Sequence, residues 1–209
     1  MNTLNNMEKT LIVASNNKNK IREIKQILGD IFNPVSLSEA GITSDPEETG
    51  KTFAENAVIK AEAASKAANA PAIADDSGLC VYALNGEPGV YSARYACKDG
   101  EHENASDEKN NEKLIRKMDG ITDRRAVFVS AVAIVWPDGK KVVAEGRCPG
   151  VITRDPRGSN GFGYDPYFLV EEYGKTFAEL DGEIKNKISH RAHALAELRK
   201  KLTESDRKG

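Results

Sequence analysis

The sequence predicts an α/β protein with a long mixed central sheet flanked by helices. Three observations carry this. Short apolar runs alternate with segments of helical spacing through the N-terminal half, which is the signature of strands separated by helices. Further on, Pro137-Asp138-Gly139 separates two strand-like runs and marks a hairpin, so the sheet is mixed rather than all parallel. The 209 residues are 39% hydrophobic and 30% charged, enough apolar surface for a packed core, which excludes a disordered chain.

The elements follow in order. Leu11-Ile12-Val13-Ala14 reads as a buried strand, Ser15 to Lys20 as a polar loop, and Ile21, Ile24, Ile27 and Leu28 as one face of a helix. Thr52 and Glu55 form a capping box, and the helix it opens carries the stripe Phe53, Ala57, Ala61, Ala64 and Ala68. Pro71 closes it. Ala72-Ile73-Ala74 reads as a strand ending in a turn at Asp75-Asp76-Ser77-Gly78. A further strand, Leu79 to Leu84, stops at the Asn85-Gly86 turn. Residues 106–118 form a helix stopped by Gly120. A long strand from Ala126 to Trp136 turns back into Lys141 to Gly146. After a glycine-rich loop over 155–166 come a short strand, Tyr167 to Val170, and a last helix from Ser189 to Leu202 with Leu195, Leu198 and Leu202 on one face. The expected organisation is one domain over residues 10–203, with short tails at 1–9 and 204–209.

Charge and cysteine usage narrow the function. The formal net charge of -2 makes a general nucleic-acid binder a poor fit, because that affinity rests on phosphate neutralisation. Cys80, Cys97 and Cys148 are odd in number and widely spaced, which fits a reduced cytoplasmic protein and gives no zinc-ligand pair. No apolar run approaches the roughly 20 residues of a membrane span, and Met1 to Thr10 lacks the apolar centre of a signal peptide. A cytoplasmic protein without membrane or nucleic-acid partners is expected.

Five segments carry candidate chemistry. Ser15-Asn16-Asn17-Lys18-Asn19-Lys20, between a strand and a helix, gathers backbone N–H groups and two lysines where an anion could sit. Taken by itself it reads more readily as an ordinary loop with solvated lysines. Asp75-Asp76 can hold Mg²⁺, which accepts one or two carboxylates and keeps its waters, or can orient a nucleophilic water; a simple turn is the alternative. The acidic loop Asp45-Pro46-Glu47-Glu48 either offsets the dipole of the following helix or adds a metal carboxylate. Gly158 to Pro166 combines glycines with Phe162, Tyr164 and Asp165, offering aromatic faces for a base and an acceptor for ring N–H groups, unless the aromatics belong to the core. Lys185, His190 and Arg191 cluster where the last helix begins, against the dipole preference, which points to an anionic or carbonyl-bearing partner. Together these features describe a nucleotide with a phosphate chain and Mg²⁺.

The same segments resemble the inosine triphosphate pyrophosphatase family, enzymes that hydrolyse non-standard purine nucleoside triphosphates. The resemblance covers about residues 11–202, with motifs in family order. These are the Ser15-to-Lys20 loop, Glu47-Glu48-Thr49-Gly50 with Thr52 to Ala57, and Ala74-Asp75-Asp76-Ser77-Gly78-Leu79. Gly86 to Arg94, Gly161 to Pro166 and Ser189-His190-Arg191 complete the set. Many relatives have Gly in place of Asn16 and Glu in place of Ile184.

The resemblance implies two lobes around a nucleotide cleft, a homodimer, and hydrolysis of ITP, dITP or XTP to the monophosphate and pyrophosphate. It implies that Ser15, Asn16, Asn17, Lys18, Asn19 and Lys20 hold the triphosphate, and that Glu47 (with Glu48 as the alternative) and Asp76 bind Mg²⁺. Asp76 would act as the base, supported by Asp75, and Lys20 would offset developing charge. Ser77 would contact substrate, Phe162 would stack on the purine, and Gly163, Tyr164 and Asp165 would line the base pocket. Lys185, His190 and Arg191 would favour a 6-keto purine.

Overall fold

A computed structural model describes residues 10–97 and 104–206. The expected N-terminal tail at 1–9 and the last residues, 207–209, lie outside the described residues. The first strand, β1 (Thr10–Val13), leads into α1 (Lys18–Leu28) and an edge strand β2 (Asn33–Ser36). Then come α2 (Phe53–Ala68) and β3 (Ala72–Val81). Two short 3-10 turns, Tyr82–Leu84 and Gly89–Arg94, precede α3 (Asp107–Lys117). The strands β4 (Arg125–Val135) and β5 (Lys141–Ile152) form the expected hairpin, followed by β6 (Phe168–Val170) and β7 (Lys175–Thr176). Two helices, α4 (Gly182–Ile188) and α5 (His190–Asp206), end the fold.

Seven strands make one mixed sheet in the order β2-β1-β3-β4-β5-β6-β7. β1 runs parallel to β2 and to β3, with Ile12 opposite Ala72, whereas β5, β6 and β7 pair antiparallel. The predicted class is therefore the observed one.

Five expectations change. The strand expected over Leu79 to Leu84 ends at Val81, where the 3-10 turn Tyr82–Leu84 begins. Asp75-Asp76-Ser77-Gly78 is not a turn but the middle of the ten-residue β3, because both carboxylates find partners in the fold that let a strand carry them inside. β5 continues six residues past Gly146, to Ile152. β2, β7 and α4 carry no periodicity long enough to be read from sequence, and Pro34 in β2 is tolerated because that strand is at the edge. The last helix runs past Leu202 to Asp206. Local signals otherwise hold. The Thr52/Glu55 capping box forms with both reciprocal bonds, and Asn85 and Gly86 both take positive φ in the turn.

The chain divides into two compact units. Unit 1 comprises residues up to Asp76, Ser130–Gly146 and the segment from His190 onward. Its core gathers Leu11, Val13, Ile24, Leu28, Ile73, Val132, Ile134 and the α5 face Leu195, Leu198 and Leu202. Unit 2 comprises Ser77–Val129 and Arg147–Ser189. Its core is more aromatic: Phe128 meets Phe168 edge-on at 4.6 Å between ring centres, and Phe177 lies 5.1 Å from Phe168. Cys80, Cys97 and Cys148 form no disulfide, and burial pushes the Cys148 thiol up to about 11. Among the described residues no helix is long and apolar enough to cross a membrane.

In unit 1, helix α5 lies directly against β5 at Gly146. A Cβ there would fall 2.1 Å from the Ala194 backbone nitrogen and 2.2 Å from the His190 carbonyl oxygen, and helix backbone cannot retreat as a flexible side chain can. Gly146→Ala should therefore destabilise the protein by about 3 kcal/mol, read as a shift in urea unfolding. An unchanged midpoint would show that α5 does not need this close approach.

Candidate functional site

In unit 1 the polar loop after β1 folds back on its own backbone. Asn17 caps α1, its Oδ1 accepting from the Asn19 and Lys20 backbone N–H groups at 2.9 and 3.3 Å, and Ser15 Oγ accepts from Asn17 N at 3.1 Å. Asn16 and Lys18 are exposed. The cap aims the first turn of α1 so that Lys20 turns inward, where its Nζ lies 2.6 Å from Asp75 Oδ2.

Asp75 is the most heavily partnered acid of the site. Its side chain has no exposed surface, and besides Lys20 it meets Arg191 Nη2 at 3.3 Å and accepts from the Ser130 hydroxyl. Burial alone would push this carboxyl up. The Arg191 and Lys20 charges, with the hydrogen bonds from Lys20 and Ser130, outweigh it and hold the carboxyl far below the usual carboxylate range. Arg191, 2% exposed, is also bonded to Glu23 Oε2 at 2.7 Å. Burial would lower its pKa, but the Asp75 and Glu23 charges raise it. Lys20 goes the other way: burial lowers it more than Asp75 raises it.

Asp76, one residue on and facing the opposite side of β3, behaves differently. Burial raises its pKa, and Lys60 only partly opposes this. Lys60, on α2, places one ammonium between two carboxylates, 2.8 Å from Asp76 Oδ1 and 3.0 Å from Glu48 Oε1. Asn56, one helical turn earlier and fully buried, donates to Asp76 Oδ2 at 3.3 Å while accepting from Gly50 N at 2.8 Å. Two side chains of one helix face thus tie Asp76 to the acidic loop. The loop brings Glu48 to this point, while Glu47 is exposed.

Lys60 and Asn56 had not been singled out from the sequence. Lys60 lies three residues after Ala57 and four before Ala64, so a lysine on the buried alanine stripe was the available signal. Its position shows what the carboxylates can take: Asp76 and Glu48 share a single cation through hard oxygen atoms, the donor type Mg²⁺ accepts. Among the described residues no group of three His, Cys, Asp or Glu side chains converges, so a cation here would take its remaining ligands from water or substrate.

Unit 2 holds most of the other predicted residues. Asp165 is buried, accepts from the Phe162 backbone N–H at 3.0 Å, and is bonded to the Lys185 ammonium. Lys185 also lies 5.3 Å from the centre of the Phe162 ring. Phe162 is half-buried. Tyr164 differs from the expectation of an aromatic face: it is core, 4% exposed, with its hydroxyl donating to the Ser92 carbonyl at 2.8 Å. Ser77 is half-buried, in unit 2, and His190, in unit 1, is buried. Arg191 differs too, its guanidinium being committed to Glu23 and Asp75.

In unit 1, adjacent acids on β3 beside a lysine-bearing helix start make a site of the phosphohydrolase class. The pattern that defines the Ham1 family matches residues 11–201. A dITP/XTP pyrophosphatase of Staphylococcus aureus is 50% identical over 187 residues, covering 90% of this chain and 93% of that protein. A Haemophilus influenzae protein of the same name is 48% identical over 201 residues, 94% of this chain and all of its own length. Among solved structures, the Staphylococcus aureus Ham1 protein superposes with a TM-score of 0.83 at 48% identity, over 94% of this chain and 100% of that one. A HAM1 protein from Coxiella burnetii gives 0.84 at 42% identity, over 93% and 98%. This chain belongs to the Ham1 family.

Arg191→Met should cost about 3–5 kcal/mol in urea unfolding, since it leaves Glu23 and Asp75 buried without their shared cation. A loss under about 1 kcal/mol would mean that water reaches the pair.

Proposed function

We propose that this protein is a nucleoside triphosphate pyrophosphatase that hydrolyses non-standard purine nucleotides, ITP, dITP and XTP, to the monophosphate and pyrophosphate. The observation that carries the reading is the single Lys60 ammonium bridging Asp76 and Glu48, a paired-carboxylate cation site beside the fully ion-paired Asp75. The names of the relatives agree with it.

Glu48 and Asp76 would hold Mg²⁺, with Glu48 preferred to Glu47 because its carboxylate already shares a cation with Asp76. A Mg²⁺ ion there supplies positive charge to the phosphate chain. The N–H groups at the start of α1, with Ser15, Asn16, Asn17, Lys18 and Asn19, would take the triphosphate, and Lys20 would stabilise charge that develops on it. Asp76 would accept a proton from the attacking water. That water attacks the α-phosphorus, the bond to the bridging oxygen breaks, and pyrophosphate leaves. Asp75, locked ionised by Lys20 and Arg191, fixes the strand that presents Asp76.

The purine would be taken by Phe162 stacking, with Asp165 and Lys185 at the ring edge and Ser77 contributing. Donors set against a 6-keto group leave the 6-amino group of adenine opposed. Arg191 would act here through Asp75 and Glu23. We place the enzyme in the cytoplasm as a homodimer, without nucleic-acid or membrane partners.

The test is pyrophosphate release from ITP, XTP, GTP and ATP, with Mg²⁺ and with EDTA. ITP and XTP should turn over only with metal, and ATP, with its 6-amino group, more slowly by about 100-fold or more, GTP serving to report on the 2-position. No pyrophosphate from any of the four would refute the reading. In the same assay Glu48→Gln should raise the Mg²⁺ concentration for half-maximal rate, while Glu47→Gln leaves it unchanged; the reverse pattern would move the ligand to Glu47.

A further inference from the structure

Helix α3 carries no residue of the site described above, yet it grips the loop that bears Phe162. Asp107, its first residue, and Asn111, one turn later, lie on one face and close on the same glycine. The Gly163 backbone N–H donates to Asp107 Oδ2 at 2.7 Å, and the Gly163 carbonyl accepts from Asn111 Nδ2 at 2.9 Å. Both hydrogen-bonding groups of one residue are thereby held by one rigid element. That residue has φ +61°, a conformation glycine adopts without steric cost. Asn111 is buried, and its Oδ1 has no partner among the described residues, so the amide is spent on this contact. An unpaired buried acceptor is costly and is retained here with the donor end fixed on Gly163.

Neighbouring contacts extend the grip. Asn110 accepts from the Ala96 N–H at 2.8 Å and donates to the Ala93 carbonyl at 3.1 Å. Tyr164 donates to Ser92 in the same segment. On the loop's other side Asp165 accepts from Phe162 N and pairs with Lys185. Phe162 thus sits between two tied points: its own N–H on Asp165, and the next peptide N–H on Asp107.

We propose that Asp107 and Asn111 are positioning residues for purine recognition: their clamp on Gly163 sets the pose of the Phe162 ring and so the affinity for the base, while neither touches substrate. This rests on the purine-triphosphate reading above. A side chain that pre-sets a binding loop lowers the ordering cost of binding. Removing it weakens ground-state and transition-state binding alike, so KM rises and kcat holds.

The experiment compares wild type with Asn111→Ala, Asp107→Ala and Asp107→Asn in ITP hydrolysis, with inorganic tripolyphosphate as a competitive inhibitor that has no base. Asn111→Ala and Asp107→Ala should each raise KM for ITP about tenfold, the equivalent of one lost hydrogen bond. Their kcat should stay within about twofold of wild type, with the tripolyphosphate inhibition constant unchanged. Asp107→Asn, which keeps an acceptor for the Gly163 N–H, should restore KM. Should Asn111→Ala fail to fold, the exposed Asp107 pair carries the test. An unchanged KM in Asp107→Ala overturns the clamp, as does a KM that rises together with the tripolyphosphate constant, which would indicate general damage. A wild type that leaves ITP intact overturns the functional reading and the clamp with it; an active wild type with indistinguishable variants overturns the clamp alone.

Discussion

A guanidinium sealed from water must be matched by fixed negative charge, and Arg191 imposes that demand on unit 1. Its side chain is 2% exposed and held by Glu23 from α1 and Asp75 from β3. Lys20 then adds a second cation to Asp75. One network thereby ties the starts of α1 and α5 to the middle of β3. Burying ions this way seldom adds net stability over an apolar core, but breaking such a network is severe, so the geometry it enforces is well specified. Gly146 serves the same arrangement by letting α5 settle against β5.

The consequence falls on the neighbouring acid. Successive residues of a strand face opposite sides, so fixing Asp75 fixes where Asp76 points. The two adjacent carboxyls are driven in opposite directions, Asp75 down by the Arg191 and Lys20 cations against burial, Asp76 up by burial against Lys60. One is an anchor that stays ionised, the other a basic group held by Asn56 and Lys60 from a single helix face. Unit 2 solves a separate problem, that of presenting a glycine-rich loop in one conformation, by spending backbone groups of the loop on Asp165, Asp107 and Asn111.

What was legible in the sequence was local. Thr52 and Glu55 announced α2, Asn85-Gly86 and Pro137-Asp138-Gly139 announced turns, and the Leu195-Leu198-Leu202 spacing announced the buried face of α5. Asp75 and Asp76 read as a turn because their stabilising partners are distant in sequence: Lys20 lies 55 residues away and Arg191 116. Arg191 read as a ligand for an anionic or carbonyl-bearing partner because arginines are rarely buried without partners, and Glu23 gave no local hint of being one. Tyr164 looked like a base platform beside Phe162, and only the packing of unit 2 separates a core tyrosine from a half-exposed phenylalanine. Glu47 and Glu48 are adjacent and chemically alike, and it is the loop conformation held by Asn56 on Gly50 that brings Glu48 to Lys60.

The division of roles between the adjacent acids is most directly tested by measuring urea unfolding and ITP turnover on Asp75→Asn and Asp76→Asn side by side. A group whose ionised form the fold favours stabilises through its charge, and one whose ionised form the fold disfavours does not. Asp75→Asn should therefore lose about 3 kcal/mol or more of stability, with activity falling as a consequence. Asp76→Asn should lose pyrophosphate release and cost less stability than Asp75→Asn, because Lys60 keeps Glu48 as a partner. Equal stability loss in both variants, or Asp76→Asn turning over ITP at the wild-type rate, would contradict the account.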